Sequence, residues 1–411
     1  MALMTDLTIW RNRDFLVLLL VQCTDAVSRG MFQVLITYCL LIQGYGIEGV
    51  AVVLSADAAA MTVLLLIGGV AADRLDARRI IAVSAAITTV ALGMLAWLLQ
   101  TGHPSLWVIS ILGAASGGGR AFHAPTTAGM MMRLASGGDT HRMSAASGIG
   151  SAAGGMLGPA LSGLLIAAVG VSALATCAAL SVISMLASLL LKHSGSPVMS
   201  DMLGKVEHQG FWIMVREGFR EFLSHDWIWA FTAQFALLQV LAFSPFYLAG
   251  PLLIGTDGAG ARDWGLILAA EGVGALLGGA IIYRVRPSRP MLWSVCCAFP
   301  MATPMFALGG GASVSVCMMA MVLCGIGIAA CNALWNTSLR TYVAEEALAR
   351  VKSLEFLVSN CTAPIGYILA GPMISAIGAE KTMLLGAGVI VSSTCLVLLL
   401  RSVRTLRAIP A

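Results

Sequence analysis

The chain has 411 residues, of which 58% are hydrophobic and only 11% charged, and its mean hydropathy is +0.89. That balance excludes a soluble globular domain and leaves the polytopic membrane class. The formal charge of +4 follows from loop topology, as shown below, and implies no nucleic-acid partner.

Windows of about 20 apolar residues, the length that crosses hydrocarbon, predict twelve transmembrane helices. The first six cover 15–42, 48–72, 80–100, 105–132, 143–168 and 171–191, and the second six cover 227–254, 263–284, 290–310, 313–338, 351–376 and 382–400. With the N-terminus inside, every Lys and Arg falls in a cytosolic segment except Arg29 and Arg120 within spans and Arg262 and Lys381 outside. Basic residues are retained on the cytosolic side during insertion, so both termini are expected in the cytosol. Residues 1–14 show no cleavable signal pattern, because Arg11, Arg13 and Asp14 precede a span too long for a signal core.

The first helix carries Asp25 and Arg29 mid-span, with Gln22 and Gln33 on the same face at helical spacing. A charge facing lipid costs about 2.5–3.5 kcal/mol on insertion scales, so both are expected to point inward. Two readings stand side by side: an i, i+4 ion pair that neutralises itself, or a titrating Asp25 tuned by its arginine. Asp57 in the second helix lacks a cation nearby in sequence and is a further candidate proton carrier. Between helices two and three lies GGVAADRLDARR, residues 68–79. Gly68 and Gly69 allow close backbone approach. Asp73 can meet helix-start amides or arginines, and Arg74, Arg78 and Arg79 anchor the turn on the cytosolic side.

Helix four holds Arg120 and His123 in GGGRAFHAP, with Pro125 expected to bend it. An arginine this deep is expected to pair with Asp25 or Asp57, or to meet an anionic substrate. His123 reads as a packing residue or a proton relay. In helix five, Gly154, Gly158 and Gly163 lie near one face, with Pro159 as a kink.

The polar stretch 192–226 splits the chain into bundles 1–191 and 227–411, and its segment FWIMVREGFREF (211–222) has the apolar and charged faces of a helix lying in the membrane interface. Helix seven offers Gln234, Phe235, Phe243, Phe246 and Tyr247, and helix ten offers Asn332, Trp335 and Asn336, as lining for an amphipathic cavity. Glu271, in LAAEGVGALLGG of helix eight, has small neighbours and no sequence-local cation, and it is the favoured proton-coupling residue ahead of Asp25. The ten cysteines show no metal-ligand spacing and read as small packing residues, and no metal or cofactor is expected.

The halves repeat each other. DFLVLLLVQ (14–22) is echoed by DWIWAFTAQ (226–234) at an offset of 212, and Gly68, Gly69 and Arg74 recur as Gly278, Gly279 and Arg284 at 210, with Tyr283 in place of Asp73. Gly117, Gly119, Arg142, Gly158, Gly163 and Gly170 recur as Gly325, Gly327, Arg350, Gly366, Gly371 and Gly378 at 208. A parallel six-helix repeat of this kind predicts a midplane binding site between halves and alternating access.

The loop pattern GxxxDR followed by Arg78 and Arg79 resembles that joining spans two and three in the major facilitator superfamily. It departs from that pattern at Asp76, where glycine is commonest, and at Ala77, where a basic residue is usual. The GxxxGPxxxG of 154–163 resembles the fifth-helix motif of the family's proton-coupled exporters of drugs and siderophores. The resemblance implies two pseudo-symmetric six-helix bundles in the bacterial inner membrane. It also implies a gating role for Gly69, Asp73, Arg74, Arg78, Arg79, Gly154, Gly158, Pro159 and Gly163, and proton-driven efflux of a small amphipathic or anionic organic molecule by a monomer. The alternatives are an importer or facilitator of a nutrient, or a transporter-like sensor. An enzyme is not expected, because no nucleophile–base pair or phosphate-binding loop is present.

Overall fold

The computed structural model describes residues 12–74, 76–134, 140–191, 219–285 and 287–406, without the side chains of 66–74 and of scattered positions in the fourth, fifth and eleventh helices. Of the segment 211–222, only Phe219 to Phe222 lies among the described residues. There it is helical, with Phe222 buried and Phe219 half-exposed. The side chains of Asp73 and Arg74, and the surroundings of Gly69, fall outside the description.

The chain is helical throughout its described length. In order come α1 (Arg13–Ile42), α2 (Gly46–Arg74), α3 (Ala77–Thr101), α4 (Leu106–Leu134), α5 (Thr140–Val169) and α6 (Ala175–Leu189). Then follow α7 (Asp226–Ile254), α8 (Gly258–Arg284), α9 (Pro290–Gly309), α10 (Val314–Tyr342), α11 (Glu345–Cys361, resuming as Ala363–Ile377), α12 (Ala379–Leu398) and the short α13 (Arg401–Thr405). Among the described residues, ten stretches are long and apolar enough to cross a membrane by length and composition. One of them, Ala146–Leu189, runs through α5 and α6 together.

Helix starts and stops follow local chemistry. Asn12 accepts hydrogen bonds from the backbone N–H groups of Asp14 (3.1 Å) and Phe15 (3.2 Å), which caps α1. Asp76 does the same for α3, accepting from the Arg78 N–H at 3.2 Å. A Cβ-free residue at 76 could not make this bond, so the departure from glycine in the loop pattern has a structural use. The Arg78 guanidinium donates to the Leu189 carbonyl at the end of α6 at 2.5 Å, fastening the turn, while Arg79 is exposed. The tight link from α1 to α2 passes through Gly44 and Gly46 at φ of 80° and 70°, values that L side chains rarely adopt.

Three predicted windows are interrupted rather than continuous. Gln239–Phe243 of α7 forms a π-helical turn, Phe299–Ala302 of α9 is 3₁₀-helical beside Pro300 and Pro304, and α11 breaks at Thr362 just before Pro364. Proline accounts for the last two, because it lacks the N–H that an α-helix requires and its ring crowds the preceding turn.

By contacts the chain divides into two units, Met1–Ser200 with Thr256–Gly265, and Asp201–Gly255 with Leu266–Ala411. Val63, Val90 and Ile111 in the first, and Leu276, Met319 and Leu396 in the second, are exposed. A surface this apolar suits hydrocarbon rather than water. Inside each unit small residues bring backbones together. A Cβ on Gly117 of α4 would collide with the backbone carbonyl of Asp57 on α2, and one on Gly325 of α10 would collide with that of Glu271 on α8. Gly154 and Gly158 of α5 likewise meet α1, a Cβ on each falling 2.7 Å from the Ala26 Cβ and from the Val27 carbonyl oxygen. Without a hydrophobic drive between helices in lipid, such close packing is what holds them together.

Substituting valine for Gly117 or Gly325 is therefore expected to destabilise the protein by about 1–3 kcal/mol through overpacking, read as a lower thermal midpoint of the purified protein. Alanine at Gly388, where a Cβ meets nothing within 4 Å, should leave that midpoint unchanged or raise it.

Candidate functional site

In the first unit the embedded charges are paired. Asp25 and Arg29 of α1 form an ion pair at 3.0 Å, one helical turn apart. Arg29 is 44% exposed, so the pair is partly open at one side. Arg120 of α4 is paired with Asp57 of α2, and its guanidinium lies 5.1 Å from the centre of the Phe32 ring on α1. Both members are buried, with exposures of 8% and 13%. Of the two partners open to Arg120 by sequence, the fold selects Asp57, because Gly117, one turn before the arginine, lets α4 lie directly against the Asp57 backbone.

His123 is buried one turn further along α4, and its Nε2 has no hydrogen-bond partner among the described residues. Asp25, Arg120 and His123 share a cavity with Thr88, Ser181 and Ser184. Its volume of about 10 Å³ holds no more than a water molecule, so it is not a site for an organic substrate. Gln22 accepts a hydrogen bond from the Ser147 hydroxyl, tying α1 to α5, and the Gln33 carbonyl accepts from Thr37 at 2.8 Å. Gly154 and Gly158 hold α5 against the stretch of α1 that bears Asp25 and Arg29, with Gly30 packed on Pro159. Gly163 abuts the backbone of Ala261 at the start of α8.

The second unit is arranged differently. A pocket of about 150 Å³ is walled by Phe243, Phe246 and Tyr247 of α7, by Met301 and Met305 of α9, and by Met321, Cys324 and Ile328 of α10. Besides the Tyr247 phenol, Gln239, from the π-helical turn of α7, and Glu271 of α8 bring polar side chains to it. A π turn carries one residue more than an α turn and redirects the side chains around it. Here it brings both Gln239 and Phe243 to the pocket. Glu271 is half-buried, and among the described residues its carboxylate makes no ion pair or hydrogen bond.

The remaining sequence-nominated residues lie elsewhere. Gln234 donates to the Thr394 hydroxyl of α12 at 2.9 Å. Trp335 is buried and stacked on Phe231, with ring centres 4.4 Å apart, and is edge-on to Trp227. Ring packing, rather than a cavity, thus surrounds its indole. Asn336 donates to the Asn332 carbonyl at 2.8 Å and accepts from the Lys352 ammonium at 2.6 Å. Lys352, bonded to Asn336, and Glu355, one turn further on α11, are embedded charges that sequence reasoning passed over. Their signal was present: Lys352, counted with the cytosolic basic residues, and Glu355 both fall at the start of the apolar window 351–376.

Removing one partner of a buried ion pair strands the other, at about 3–5 kcal/mol. Arg120→Leu alone should therefore lower the yield and thermal midpoint of folded protein sharply, and the double substitution Asp57→Leu with Arg120→Leu should recover a good part of the loss. A double variant as damaged as the sum of the singles would show that the pair is not what fixes α2 to α4.

No curated protein sequence matches the chain. Solved structures match its fold over nearly its whole length. A nucleoside transporter, NupG, superposes with a TM-score of 0.72 at 15% identity, covering 94% of this chain and 98% of its own. A bacterial homologue of the human lysosomal transporter Spinster, in an inward-facing unoccupied conformation, gives 0.71 at 14%, covering 98% and 100%. A POT family transporter in complex with 5-aminolevulinic acid gives 0.68 at 16%, covering 94% and 96%. At such identities the likeness establishes the fold alone. The sequence model of the Major Facilitator Superfamily matches residues 18–363. The chain, an all-helical multi-pass membrane protein and not an enzyme, belongs to the major facilitator superfamily of transporters.

Proposed function

We propose that the chain is a proton-coupled secondary transporter that expels a small amphipathic organic molecule across the bacterial inner membrane by alternating access, with Glu271 taking up and releasing the proton. One observation carries this reading. Asp25 and Asp57 are each compensated by an arginine of the chain, whereas Glu271 faces a pocket with no partner among the described residues. A coupling carboxylate must exist in both charge states, and an acid already neutralised by a guanidinium is poorly suited to that exchange. Protonation of Glu271 removes a charge from an apolar pocket, and an access state that buries the pocket more deeply then gains population relative to one that leaves it wet.

The outward direction rests on the likeness of Gly154, Gly158, Pro159 and Gly163 to the exporter motif, of which Gly154, Gly158 and Pro159 seat α5 on α1 beside the Asp25–Arg29 pair. Arg29 and Arg120, which by sequence favour an anionic substrate, both hold carboxylates of the chain. That leaves the amphipathic rather than the anionic description of the substrate as the better supported.

Everted membrane vesicles containing the overproduced protein should accumulate a fluorescent amphipathic dye such as Hoechst 33342 when respiration acidifies their lumen. Nigericin should release it, and Glu271→Gln should abolish accumulation while Glu271→Asp keeps part of it. Accumulation indifferent to nigericin overturns the coupling, and protein-dependent uptake into intact cells overturns the direction.

A further inference from the structure

Two junctions in the chain are built alike but differ in whether a cation stands beside the acid. On α4, Gly117 presses on the backbone carbonyl of Asp57, and on α10, Gly325 presses on that of Glu271. These glycines are counterparts in the internal repeat, at an offset of 208. One turn beyond each glycine, at the same offset, the first junction has Arg120 and the second has Ile328. Arg120 supplies the cation that Asp57 needs, with the Phe32 ring facing its guanidinium. Ile328 supplies none, and it stands instead on the wall of the pocket into which Glu271 opens.

We propose that the Glu271 pocket binds an organic cation, an ammonium or guanidinium group on an apolar body, whose charge takes beside Glu271 the place that Arg120 takes beside Asp57. The proposal rests on the transport reading above and adds the chemical class of what is carried. The pocket suits this class on three counts. Its one acidic side chain is the Glu271 carboxyl, and among the described residues no Lys, Arg or His lines it. Phe243, Phe246 and Tyr247 present aromatic rings, whose faces attract alkylammonium and guanidinium groups. The methionines of α9 and α10 give a polarisable, adaptable wall for the apolar body.

A single carboxylate then serves two ligands in turn. The proton and the cation neutralise the same charge and exclude each other, which is the exchange that an antiporter needs. Among the described residues, the other titratable groups facing Glu271 are Tyr247 on α7 and Cys324 on α10, and Tyr247 in turn interacts electrostatically with Tyr367 of α11. The α9 wall contributes Met301, Pro304 and Met305, none of which titrates.

The test is isothermal titration of the purified full-length protein in detergent with benzyltrimethylammonium, benzenesulfonate and benzyl alcohol. The first carries a permanent charge, so any pH dependence belongs to the protein. The cation alone should bind, more tightly at about pH 8 than at about pH 5, as a carboxylate that must lose its proton requires. Glu271→Gln should weaken binding at least about tenfold and flatten its pH dependence, Glu271→Asp should keep measurable binding, and Glu380→Gln, at an exposed position, should change nothing. Ile328→Arg, which restores the first junction's pairing, should abolish binding in a protein that remains monodisperse. No binding of the cation, equal binding of all three probes, or an unchanged affinity in Glu271→Gln overturns the proposal. Cation binding without proton-driven dye accumulation upholds this site and overturns only the coupling reading.

Discussion

An ionised side chain in hydrocarbon must find a counter-charge or a pocket of polarisable groups, and the arrangement of this protein follows from how each of its embedded charges meets that demand. Arg120 meets it with Asp57 across two helices, Asp25 meets it with Arg29 along one helix, and Lys352 meets part of it with the Asn336 amide. These pairings differ in what they cost to disturb. The Asp57–Arg120 pair is largely buried and links α2 to α4, while the exposure of Arg29 leaves its pair partly open. Glu271 is the exception around which a functional reading forms, since it has a cavity where the others have a partner.

The charges can be placed in this way because helices approach closely. Gly117, Gly154, Gly158 and Gly325 stand where any Cβ would strike a neighbouring helix, and each of these contacts lies next to an embedded charge or carries it. In lipid, where apolar side chains gain little by leaving their surroundings, backbone proximity and the polar contacts it permits supply the specificity. Three of these glycines, Gly117, Gly158 and Gly325, also mark the internal repeat in the sequence.

The fold was legible in the sequence because hydrocarbon imposes a length and a polarity on every span, and the windows match the helices to within a few residues at most boundaries. The interruptions beside Pro300, Pro304 and Pro364 were not read, because proline alone does not decide them: Pro125 and Pro159 sit inside continuous helices of the same structure. The π-helical turn at Gln239–Phe243 was not legible either, because no residue there announces it. It follows from packing, with a Cβ on Gly366 reaching within 2.8 Å of the Gln239 carbonyl oxygen. For the site, the list of embedded charges could be read directly, but the choice of partner could not. Arg120 lies 63 positions from Asp57, and periodicity along one helix says nothing about which neighbour it will face. Trp335 shows the converse difficulty: an aromatic residue beside buried amides reads as cavity lining, yet it stacks on Phe231. Lys352 and Glu355 were visible as charges inside an apolar window and passed over because the cytosolic end of a span tolerates charge.

The glycine contacts beneath Asp57 and Glu271 have a mechanical corollary. In each case the facing helix rests on the main-chain oxygen of the acid itself, so neither acid can be shifted relative to that helix without first prising the two apart. The bare glycine is thus what lets a charged position and a neighbouring helix meet at one point, and any side chain added there would push the neighbour away from the acid's own peptide unit.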